Sequence, residues 1–90
     1  MSISPGELPP ATVSRPAIAG RLRLVRTERF GVGGVAALAE QLGVPPETWS
    51  NYERGICIPG DVLLIFLLET GVEPLWLLRG DGPRYRPAPQ

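Results

Sequence analysis

The side chains of this chain with the densest hydrogen-bonding chemistry lie in residues 46–54, PETWSNYER. If the stretch is helical, Trp49 and Tyr52 share one inward face, and Pro46, Glu47, Ser50 and Asn51 point outward. The Asn51 amide carries both a donor and an acceptor and has the reach to pair bidentately with adenine N6 and N7. Glu47 can accept from cytosine N4, and Ser50 suits a base edge or a phosphate. Pro46 has neither donor nor acceptor and offers only apolar contact, for instance with a thymine methyl. The same four residues are also what an ordinary solvated helix face contains. Catalytic readings lack their residues: there is no His, and the single Cys57 sits beside no Lys or His. No clustered ligand set suggests a metal, and the glycines of GVGG follow no predicted strand, so neither a cofactor nor a small-molecule ligand is implied. Cys57 is expected to be a small packing residue.

The elements that must position this face are punctuated by glycine and proline. Ala36, Ala39 and Leu42, with Leu38 beside them, mark a helix over about Val35 to Leu42, and Gly43 ends it. Val44 turns into the core, and Pro45-Pro46 starts the next helix, which runs to Glu53 before Gly55. Upstream, from Ala17, Ile18, Leu22, Leu24 and Val25 define an apolar face with Arg21, Arg23 and Arg26 around it, ending before the RFGVGG segment. That glycine-rich loop presents backbone N–H groups at the start of the second helix. Downstream, Pro59 and Asp61 open a fourth helix that runs to about Thr70 and stops at Gly71. Pro74 opens a fifth through Trp76, Leu77 and Leu78 to Arg79, which Gly80 stops. The expectation is one all-α, five-helix orthogonal bundle without a sheet. Trp49, Tyr52, Phe66 and Trp76 all fall on apolar faces at helical spacing and are expected in its core rather than as stacking platforms.

Composition sets the limits. Ninety residues make one small domain, near the size at which burial only just offsets chain entropy. Seven of the eleven prolines, Pro5, Pro9, Pro10, Pro16, Pro83, Pro87 and Pro89, lie at the two ends, so residues 1–16 and 83–90 read as a disordered arm and a Pro-rich tail around a domain over 17–82. The lone cysteine, the absence of a signal-peptide layout and an apolar run of only seven residues, Val62 to Leu68, make a cytoplasmic, non-membrane protein the default. Net charge is zero, awkward for a polyanionic partner. The distribution softens this, because residues 15–30 hold five arginines against one glutamate, a local net charge of +4.

With LAEQLGV followed at the right gap by TWSNYERG, the chain resembles the helix-turn-helix of the Cro and phage-repressor family of DNA-binding regulators, from about Ile18 to Tyr85. It is most similar to the branch with a Trp-Leu-Leu-x-Gly-x-Gly-Pro signature, here WLLRGDGP at Trp76–Pro83. The resemblance implies a lambda-repressor-like fold and a sequence-specific regulator of duplex DNA, not an enzyme. It implies base contact by Pro46, Glu47, Ser50 and Asn51, phosphate contact by Arg54, and a structural ion pair between Arg26 and Glu53. Two departures stand out: Pro46 and Val35 occupy positions where many relatives carry Gln or another polar residue. A phosphate at the second helix would then be met only by the backbone N–H groups of Gly33, Gly34 and Val35. The glycine loop is also about two residues longer than the family's common spacing. Arg54 has a plainer reading as a complement to a helix dipole.

The fourth helix is apolar all round from Val62 to Leu68, more than one small core can bury. Leu64, Leu68, Leu75 and Leu78 are therefore candidates for a two-fold homodimer interface, unless the fifth helix and the tail cover them within a monomer. An alternative keeps the fold as a protein-binding module with DNA affinity weakened by Val35, Pro46 and the neutral charge. A membrane-surface module through the Arg-rich first helix has little beyond charge in its favour.

Overall fold

The computed structural model describes residues 14–87, which form five helices: α1 (Arg15–Phe30), α2 (Val35–Leu42), α3 (Pro46–Glu53), α4 (Gly60–Thr70) and α5 (Pro74–Arg79). The bundle is all-α; among the described residues the only β pairing is one antiparallel bridge, Val72 to Tyr85.

α1 starts two residues before the expected Ala17, because the Ser14 hydroxyl accepts the Ala17 N–H at 3.3 Å and Pro16 fits the first turn. It also runs on through Arg29 and Phe30, and the Gly31 N–H still reaches the Thr27 carbonyl at 2.9 Å. α2 stops at Gly43, whose φ of 73° lets its N–H and that of Val44 close on the carbonyls of Glu40 and Ala39. α3 begins on Pro46 with Pro45 extended ahead of it, so no donor is wasted at the helix start.

The core is assembled from Leu22 and Val25 of α1, Leu38, Ala39 and Leu42 of α2, Trp49 and Tyr52 of α3, Val62 and Phe66 of α4, then Val72 and Leu77. Trp49 and Phe66 stack at 5.1 Å between ring centroids, and Tyr52 meets Trp49 edge-on at 5.8 Å. Trp76, expected in the same core, is only half-buried and lies under the Arg84 guanidinium at 4.9 Å. Ala36 faces solvent, since the buried stripe of α2 runs through Leu38, Ala39 and Leu42, and so does Leu24, since that of α1 runs through Ala19, Leu22, Val25 and Arg26. Cys57 is exposed in the α3–α4 connector and packs no core.

The body does not stop at residue 82. Arg84 O accepts from Glu73 N, Arg86 N donates to Gly71 O, and Tyr85 donates to the Glu28 carboxylate of α1, which also pairs with Arg84. Residues 84–86 thus strap the end of the chain across α1 and the α4–α5 turn, where a proline-rich tail was expected. The arm over 1–16 lies outside the described residues up to Val13, and Ser14 to Pro16 belong to the start of α1.

Candidate nucleic-acid interface

The outward face of α3 is held in place from behind. Arg26, 6% exposed, meets Glu53 in a two-pronged pair: Nε to Oε2 and Nη2 to Oε1, each 2.9 Å. Its remaining nitrogen, Nη1, donates to the carbonyls of Gly31 and Val32 at 3.2 and 2.7 Å. The Trp49 indole N–H donates to the same Glu53 carboxylate. One guanidinium therefore ties α1 to α3 and to the turn that leads into α2. Burial pushes the Glu53 carboxyl up, but the hydrogen bonds from Arg26 and Trp49, with the charges of Arg26 and Arg23, more than offset this and hold it below its ordinary value. The hydrogen bond to Glu53 raises Arg26 in turn. Trp49 was legible as a core residue, but its indole contact with a carboxylate four residues on was a signal that α3 spacing carried and that a purely apolar reading of Trp49 missed.

With Trp49, Tyr52 and Glu53 turned inward, Pro46, Glu47 and Asn51 are exposed and Ser50 is half-exposed, all on one face. Arg54 extends that face beyond the last turn of α3, and its Nη1 donates to Asn51 Oδ1 at 2.7 Å. These five residues come together as the sequence places them.

The backbone site at α2 differs from expectation. Gly34 is buried and its N–H donates to the Gly31 carbonyl at 3.1 Å, closing the turn, so it has no amide left for a phosphate. What remains at the start of α2 are the amides of Gly33 and Val35, neither of which has a backbone partner among the described residues, with no side-chain cap. Gly34 has a steric duty instead: a Cβ there would collide with the Phe30 carbonyl oxygen and Cβ, and lie 2.6 Å from its carbonyl carbon. The turn is thus as tight as backbone allows.

The arginines of α1 are less free than their local excess suggests. Arg21 Nη1 donates to the Leu77 and Leu78 carbonyls at 3.0 and 3.1 Å, satisfying the last turn of α5, and Arg29 lies 4.1 Å over the Tyr85 ring. With Arg26 in its ion pair, only Arg15 and Arg23 of the five remain exposed with neither a hydrogen bond nor a ring contact among the described residues.

The family model described as the bacteriophage CI repressor helix-turn-helix domain matches residues 25–85. The chain belongs to this family. No curated protein and no solved structure matches. The matched span opens at Val25, beside the Arg26 that clamps the helix-turn-helix, and closes on Tyr85, the bridge residue of the strap. A CI repressor helix-turn-helix domain is a DNA-binding, non-enzymatic domain of a repressor-type regulator. Among the described residues no helix is long and apolar enough to cross a membrane.

Proposed function

We propose that this CI repressor domain binds duplex DNA in a sequence-specific manner and reads the major groove with α3. The observation that carries the reading is the division of α3 into two faces: Trp49, Tyr52 and Glu53 anchored behind, and Pro46, Glu47, Ser50 and Asn51 outward with no structural duty in the bundle. On this reading those four contact base edges, while Arg54 and the free amides of Gly33 and Val35 hold the backbone. Arg26 and Glu53 serve as the structural pair that keeps α3 at a fixed angle to α2. Because the chain is neutral and three arginines of α1 are engaged internally, phosphate contacts are few and the salt dependence is shallow for a DNA-binding protein.

Leu64, Leu68, Leu75 and Leu78 are 67, 71, 48 and 43% exposed, and together they form the surface for a second copy of the domain. A two-fold dimer through α4 and α5 presents two α3 helices to successive half-sites. The protein acts in the cytoplasm on this reading. The same leucines also favour a second reading, a protein-binding module on this fold with little DNA affinity.

Selection of fragments from a random duplex library at a low and a moderate salt concentration tests the choice. Enrichment of a short two-fold motif, weakened as salt rises, is the expected result. A folded protein that enriches nothing at either salt would move the assignment to the protein-binding module.

A further inference from the structure

We propose that Arg54 sets the base preference of Asn51, a deepening that rests on the major-groove reading above. A guanidinium has donors and no acceptor, so the Asn51 amide turns its oxygen toward Arg54 and its NH2 group away. The two side chains are exposed and three residues apart, and this 2.7 Å bond is the one side-chain hydrogen bond Arg54 makes among the described residues. The nearest carboxylate in sequence, Glu53, is turned inward to Arg26 and Trp49 and does not draw Arg54 away.

A base edge that meets Asn51 in this arrangement meets donors, the two N–H of Nδ2, while the other N–H groups of Arg54 are left for the phosphate backbone. Guanine answers with two acceptors, N7 and O6. Adenine offers N7 but also an amino group, which has to share the Asn51 oxygen with a cation and lie beside its positive charge. The unassisted amide would favour adenine; the amide held by Arg54 favours guanine. Arg54 is thus a positioning residue that acts on specificity through Asn51, in addition to its contact with the backbone.

The test uses the full chain, the site recovered by selection, and all single-base variants of it, with wild type, Arg54→Ala, Asn51→Ala and the double variant. Wild type is expected to prefer guanine over adenine at one position by about 5- to 150-fold, the span of one good bidentate contact. Arg54→Ala should shift that position toward adenine, leave the others unchanged and lower the salt slope by about one. In the Asn51→Ala background, removing Arg54 should weaken all sequences alike. Unchanged base preference in Arg54→Ala would reduce Arg54 to a phosphate contact, and a wild-type preference for adenine that vanishes in Asn51→Ala would also overturn the inference. A folded wild type that enriches no sequence would instead overturn the DNA reading beneath it.

Discussion

Around Glu53 the molecule buries charge and turns polar groups outward, whereas along α4 and α5 it buries almost none and turns leucine outward. The first region gains its geometry from a polar network with few alternatives: two nitrogens of Arg26 face two oxygens of one carboxylate, and the third nitrogen is fixed by two carbonyls. The second is held mainly by apolar side chains, Val62, Phe66, Val72 and Leu77, with Arg21 closing the end of α5 and Leu64 and Leu68 left in water. The difference teaches that directional bonds are used where an angle between helices matters, whereas apolar packing without direction serves along α4 and α5.

Breaking the network should have the largest effect. Glu53→Ala strands the buried Arg26 charge and is expected to cost about 3–5 kcal/mol, a large part of the ~5–15 kcal/mol of a small domain. Replacing both partners with apolar residues should cost less than removing one, as chemical denaturation would show. Acid probes the same contact more gently. Because the Glu53 carboxyl is held below its ordinary 4.5, its contribution is complete above that value and fades as pH falls through the lowered one. Glu28, held low by Tyr85 and Arg84, adds a loss of the same sign. A melting temperature that stayed level below pH 4 would contradict both.

Next in size is the turn. Gly34→Ala drives a methyl into the backbone of Phe30 and should cost about 1–3 kcal/mol, while Gly33→Ala, with open space at its Cβ, stays close to wild type in the same urea titration. Equal effects at the two positions would mean that the turn yields. The smallest effect on folding is expected at the other end of the bundle. Leu64→Glu with Leu68→Glu should leave stability within about 0.5 kcal/mol yet abolish self-association in sedimentation. A dimer that survives both changes would place its interface elsewhere.

Much of the scaffold was legible because glycine and proline mark its joints. Gly43, Gly71 and Gly80 all take positive φ after their helices, and Pro46 and Pro74 open α3 and α5 where expected. What escaped has physical reasons. The amide of Gly34 looks free in a sequence but is consumed by a turn that only coordinates reveal. Cys57 was weighed by residue type, although its connector runs over the surface. Residues 84–86 show no periodicity, because their bonds go to partners far away in sequence. The Asn51–Arg54 bond depends on rotamers, not on spacing alone.

The strap has a consequence for the order of assembly. Contacts between α2 and α3 close over a few residues, whereas Glu28 finds Tyr85 only across 57 positions, and Arg21 finds Leu77 across 56. Closing such a span costs more chain entropy than closing a short one, and the six-residue α5 has little helical stability of its own. The helix-turn-helix is therefore expected to condense first and α5 to dock last. In exchange experiments the amides of Glu73 and Arg86 should open while those of α3 stay protected, so the α5 half of the proposed dimer surface, Leu75 and Leu78, belongs to the least durable part of the fold.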